Sequence, residues 1–236
     1  MGRISASRFT GWEVNKLHVG VLAVFALLAA CTASPPPKET TPDGLERVPS
    51  RAEGGVYRDL DADFTHYKRL MIEPLTVEFV EEWRKQHPDV ADTEVRRIQL
   101  EATKDFREVF TKIMVDEGPF ELAEVREADV FVVVPRLLDL DIPAPEEDID
   151  SGKQSYSPRP VSLQMTGELR DGVNGEILLR VIRIDKEPYY MFAGIRRANR
   201  LTNAREIRVS LEKWSRLVSE AIDVAKATKP PDPRAK

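Results

Sequence analysis

Val130-Phe131-Val132-Val133-Val134 is the most hydrophobic β-branched run in the chain beyond residue 31. Its lack of polar alternation predicts a strand buried on both faces, at the centre of a sheet. Leu137, Leu138, Leu140 and Ile142 extend it past Pro135, through a bulge or bend. Upstream, Val95, Ile98, Ala102, Phe106, Val109, Phe110 and Ile113 step by three and four, which predicts an amphipathic helix over 92–113. Gly118-Pro119 breaks that helix before a strand at 120–125. Before the helix, Leu70, Ile72, Val77 and Phe79 mark extended chain interrupted at Pro74.

Downstream, Val161, Leu163 and Met165 lead into Asp171-Gly172 and Asn174-Gly175, and Ile177, Leu179 and Val181 lead away. Both dipeptides supply turn chemistry, so the segment reads as a hairpin. A last helix is expected over 203–227, with Asn203 to Glu206 as a capping box and Ile207, Leu211, Trp214, Val218, Ile222 and Ala225 as its stripe. Each stripe needs a sheet face. The expected fold is α+β: one βαβββα-type domain, a mostly antiparallel sheet with two long helices packed on it.

Composition narrows function. The chain of 236 residues carries 40 acidic and 35 basic side chains, a net charge of −5, with one Cys and three His. One Cys excludes an internal disulfide framework and a multi-thiolate metal centre. Net acidity opposes nucleic acid as a partner, since phosphate binding needs a positive face.

The N-terminus reads as an address. Arg3, Arg8 and Lys16 precede an apolar core, Val19 to Ala30, of twelve residues. That is shorter than the roughly 20 residues of a permanent span and fits a secretory signal. It ends Leu28-Ala29-Ala30-Cys31, which resembles the lipobox of bacterial lipoproteins. The resemblance implies residues 1–30 as signal peptide and Cys31 as the lipidated residue. It also implies a membrane partner through the lipid anchor. Thr32 stands where an Asp would signal inner-membrane retention, so the expected location is the periplasmic face of the outer membrane. Residues 31–56, rich in Pro and Gly, read as lipidated Cys and disordered tether. Residues 57–228 are the expected domain and 229–236 a disordered tail.

Several blocks together resemble the DUF3313 family of bacterial envelope lipoproteins, whose function is uncharacterised. They are Tyr67–Phe79, Trp83, Phe106–Phe110, Ala128–Pro135 and Glu168–Ile177. The resemblance covers roughly 55–225 and implies an α+β domain behind a lipoprotein signal. It supplies no catalytic residues.

No catalytic constellation emerges from the residues themselves. His66 and His87 lack partners at metal-ligand spacing, and the acidic run Glu146-Glu147-Asp148 with Asp150 lacks the pattern of a calcium loop. Asp139 and Asp141 share a face of an extended segment only as period two dictates. There is no Gly-x-Ser-x-Gly elbow and no Gly-rich phosphate cradle. The expectation is a non-enzyme without catalytic, metal or cofactor-binding residues, serving as a protein-binding or envelope assembly module. The alternatives are a cell-wall or small-substrate hydrolase and a small-ligand or lipid-binding protein. Tyr189, Tyr190, Arg196, Arg197 and Arg200 form the candidate interaction surface for a periplasmic or outer-membrane protein partner. The Pro-rich, acidic stretch 143–160 is a second candidate contact, read as an unstructured loop.

Overall fold

The computed structural model describes residues 39–143, 155–157, 161–185 and 196–228, with 155–157 and 196–197 as backbone alone. The elements run β1 (Glu46–Val48), β2 (Gly54–Arg58), β3 (Arg69–Ile72), β4 (Thr76–Phe79), α1 (Trp83–Gln86) and α2 (Asp92–Thr111). A π-helical turn, Lys112–Asp116, extends α2. Then come β5 (Glu121–Leu122), β6 (Val130–Asp141), β7 (Ser155–Ser157), β8 (Ser162–Asp171), β9 (Ile177–Asp185), β10 (Arg196–Ala198) and α3 (Arg200–Ala227).

The expected α+β class is what forms. Eight strands make one sheet in the order β1-β2-β9-β8-β6-β3-β5, with β4 also pairing β6. From β1 to β6 every pairing is antiparallel, whereas β3 and β4 run parallel to β6. β7 and β10 form a separate antiparallel pair. Phe131, Val132 and Val133 are completely or almost completely buried, as a central strand requires.

Pro135 sits inside β6 without breaking it. The Val133 carbonyl accepts from the Glu73 amide at 3.0 Å, so it faces the β3–β4 side. By period two the Pro135 nitrogen faces the same side. It meets the gap between β3 and β4, where Pro74 interrupts the neighbouring ladder. The missing donor therefore has no ladder bond to lose. The bend comes later, at Asp139, whose φ of 51° accompanies a register shift between Leu138 and Asp141.

β8 alternates strictly: Leu163, Met165, Gly167 and Leu169 are buried beneath the helices, and the residues between them are half-buried on the open face. Trp214 of α3 lies against Gly167. A Cβ at Gly167 would stand 2.5 Å from Trp214 Cζ2. The Trp214 indole N–H donates to the Val181 carbonyl at 3.1 Å, and its ring packs 5.9 Å from Phe106 and 5.8 Å from Phe110. One side chain thus joins β8, β9, α2 and α3.

Three expectations on element limits are corrected. Residues 39–56 are not tether but part of the domain. Leu45 is 1% exposed, and the charged neighbours that argue for disorder have partners: Asp43 accepts from Arg180, and Glu39 from Arg47 and Tyr57. The stretch 143–160 contains strand β7, held by β10; its residues 144–154 and 158–160, like the signal and the tail, lie outside the described residues. The last helix begins at Arg200, capped by Asn199 and Thr202 in reciprocal hydrogen bonds of 2.9 and 3.0 Å. Asn203 is buried inside the first turn and donates to the Pro143 carbonyl at 2.8 Å instead of capping.

The Trp214–Gly167 contact is directly testable. Gly167→Ala should lower stability by about 1–3 kcal/mol through overpacking, read from urea unfolding. Adding Trp214→Phe should cost less in the Gly167→Ala background than in the native chain. Strict additivity would show that the two residues do not touch.

Candidate functional site

A cleft of about 500 Å³ opens between the β1–β2 ribbon and the C-terminal half of α3. Its origin lies in the sheet order. α3 packs over β8 and β9 through Trp214 and Val218, while β2 and β1 continue the sheet beyond the helix. Val48, Val56 and Leu179 line the sheet side, and Leu217, Ala221 and Val224 the helix side.

Arg58 is the buried charged residue of this lining. The register pairs Val56 with Val181 and Arg58 with Leu179, which puts Arg58 on the helix-facing side of the sheet. Tyr57, between them, pairs with Arg180 on the other side. Arg58 is 7% exposed, and its Nε is buried without a hydrogen-bond partner. No described carboxylate forms an ion pair with it. Glu46 is its register partner on β1. Burial pushes the guanidinium pKa below its ordinary value, with the Asp59 charge acting weakly the other way. Arg51, Ser50, Glu220 and Asp223 complete the lining.

A second feature is the seam between α2 and α3. Glu94 is buried, and its carboxylate accepts from Arg97 Nε at 2.9 Å and Nη2 at 2.6 Å, and from Arg200 Nη2 at 3.1 Å. Arg208 donates to Asp105 at 2.9 Å and to Glu108 at 2.6 Å. The cavity under this lattice, lined by Arg97, Ile98, Ala102, Arg200 and Asn203, holds only about 20 Å³. That is room for one water molecule and no ligand. The seam joins the helices.

The sequence-derived candidates fall in different places. Arg200 opens α3 and is committed to Glu94. Arg196 and Arg197 lie on β10, in register with Ser157 and Tyr156. Tyr189, Tyr190 and Cys31 lie outside the described residues. His87 stacks on Trp83 with ring centroids 4.7 Å apart, and its Nδ1 lies 2.9 Å from the Trp83 carbonyl oxygen. The His66 ring lies tilted against Tyr67, with ring centroids 3.9 Å apart. The bulge at Asp139 breaks the shared-face relation expected for Asp139 and Asp141. Among the described residues no group of three or more His, Cys, Asp or Glu could hold a metal ion. No described helix is long and apolar enough to cross a membrane.

Arg58 was missed because a single Arg after a Gly-Gly turn reads as solvated. The usable signal was period two, since Val56 and Arg58 must share a face.

Comparison with known proteins adds little at this level of divergence. No protein-family model matches the chain, and no curated protein matches it. Among solved structures it is similar to the PelC dodecamer from Paraburkholderia phytofirmans, at 12% identity over 67% of this chain and 97% of that chain, with a TM-score of 0.33. It is also similar to a neuraminyllactose-binding hemagglutinin homolog from Helicobacter pylori, at 9% identity over 72% of this chain and 86% of that one, with a TM-score of 0.31. No role of either is carried over to this chain.

The seam gives a pH-dependent prediction. The hydrogen bonds from Arg97, with Arg200 adding to them, hold the Glu94 carboxyl below its ordinary value of 4.5, against the opposing effect of burial. A depressed carboxyl pKa stabilises the fold above the unfolded value, and that contribution disappears as pH falls through the folded value. Glu94→Gln should therefore cost about 1–2 kcal/mol at pH 7, allowing for the partial exposure of both arginines. The gap between variant and native unfolding midpoints should begin to close below pH 4.5 and vanish further into acid. A gap independent of pH would remove the ion pair as its cause.

Proposed function

We propose that this chain is a non-catalytic lipoprotein, anchored through Cys31 at the periplasmic face of the outer membrane, whose α+β domain acts by binding. The observation that carries the anchor is the single cysteine, placed directly after Leu28-Ala29-Ala30 at the end of a twelve-residue apolar run. Acylation there gives stable attachment, because each buried CH₂ contributes about 0.8 kcal/mol and two or more chains are joined to one residue. The resemblance of the quoted blocks to DUF3313 lipoproteins supports the same reading.

The binding role is supported by where the polar chemistry goes. Neither His66 nor His87 is hydrogen-bonded to a described hydroxyl or carboxylate, the arrangement that base-assisted nucleophilic attack needs. The charges on the open sheet face pair with one another: Arg180 joins Asp43 and Glu168, and Arg170 joins Glu168. What the domain offers to another molecule is concave surface and strand edge.

Intact mass of the membrane-extracted protein should show the mature chain starting at Cys31 with diacylglycerol and acyl additions. Cys31→Ser should abolish those additions and leave the chain unprocessed. A Cys31→Ser precursor that is still acylated and cleaved would sink the anchor. In-cell crosslinking followed by purification should recover a defined envelope protein, and a chain that remains alone at every crosslinker length would sink the partner-binding role.

A further inference from the structure

The cleft beside Arg58 combines three properties. It has a volume of about 500 Å³, within the range of small-molecule pockets. Aliphatic side chains line both its sheet and helix sides, with Glu220 and Asp223 beside them on the helix. It also contains Arg58, a residue only 7% exposed whose Nε is buried without a hydrogen-bond partner and which forms no ion pair with a described carboxylate.

A buried, unpaired charge is costly, and proteins retain one where something else neutralises it. The planar guanidinium fork matches a carboxylate in a bidentate arrangement. Glu220 and Asp223 oppose any ligand carrying several negative charges, and with Arg51 and Arg58 they leave the lining formally neutral. The favoured ligand therefore has one negative charge at its head and an apolar body. We infer that the cleft between the β1–β2 ribbon and α3 binds a monocarboxylate on an aliphatic chain, with its carboxylate on Arg58 and its chain along Val48, Leu217 and Val224. Val224 is 58% exposed, an apolar residue at the cleft rim that such a chain would cover.

This inference does not depend on lipidation of Cys31, since the residues that form the cleft belong to the folded domain. It is tested on the full mature chain held in nanodiscs, with diazirine-bearing decanoate as the probe and its methyl ester as the uncharged control. After irradiation, peptide mass spectrometry should place adducts within 48–58 and 217–224 for the acid, with at least a fivefold lower yield for the ester. Arg58→Met should reduce acid labelling to the ester level. It should leave the thermal midpoint equal or higher, because a buried charge without a protein partner is lost. Ala221→Phe, which fills the cleft and leaves Arg58 in place, should reduce labelling by acid and ester alike. Equal labelling by acid and ester in the native chain, undiminished labelling of Arg58→Met, or adducts outside these segments would each overturn the inference. So would a drop in the Arg58→Met midpoint without loss of labelling, which would make Arg58 a structural residue. The intact mass of the same preparation reads the state of Cys31 separately.

Discussion

The position of α3 depends on Trp214 lying in the gap that Gly167 leaves in β8. Gly167 is the one residue of the buried β8 row without a side chain, between Met165 and Leu169, and the indole fills that place. The indole N–H would be an unsatisfied donor in the core without the Val181 carbonyl. Shape and hydrogen bond together therefore fix α3 over β8 and β9. Everything near the far edge of the sheet follows from that. With the helix held there, the β1–β2 ribbon has no helix above it, and the space between becomes the cleft. A helix shifted by one strand toward the edge would close it.

Electrostatics in this domain is mostly local matching. Arg97 and Arg200 share Glu94, Arg208 bridges to Asp105 and Glu108, and Arg180 lies between Asp43 and Glu168. The Arg200–Glu94, Arg208 and Arg180–Asp43 pairs join elements distant in sequence, and their partly exposed members contribute modestly to stability. The Asp43–Arg180 pair has the further effect of folding the 39–45 turn against the sheet. Against this background Arg58 departs from the pattern. It is among the more buried charged residues, yet its Nε has no hydrogen-bond partner and no described carboxylate forms an ion pair with it.

The architecture was legible where the hydrophobic period was strong. The Val130–Val134 run, the α2 stripe, the 161–184 hairpin and the α3 stripe each produced the element expected, in the order expected. The limits were less legible, for identifiable reasons. Residues 39–56 look like tether because Pro, Gly and charge dominate, and their order comes from long-range partners such as Arg180 that local composition cannot reveal. Asn203 looks like a helix cap because Asn and a Glu three residues later satisfy the pattern. The actual cap, Asn199 with Thr202, has the same logic with Thr in place of Glu. β7 was hidden because its partner β10 lies about forty residues away.

The candidate site was legible only in part, and the difference is physical. The candidate surface Tyr189, Tyr190, Arg196, Arg197 and Arg200 stands out in sequence because its charges cluster. Clustering in sequence does not determine exposure: Arg200 faces Glu94 of α2 across the helix seam. Arg58 is inconspicuous in sequence and becomes important through register alone. Val56 and Arg58 share a face, Leu179 and Val181 define that face as the inner one, and the sheet edge lies beyond the reach of α3. Burial of the guanidinium follows from the backbone pattern, whereas its lack of a partner follows from which side chains the fold brings near. The fold leaves its Nε without a partner at the wall of the cleft.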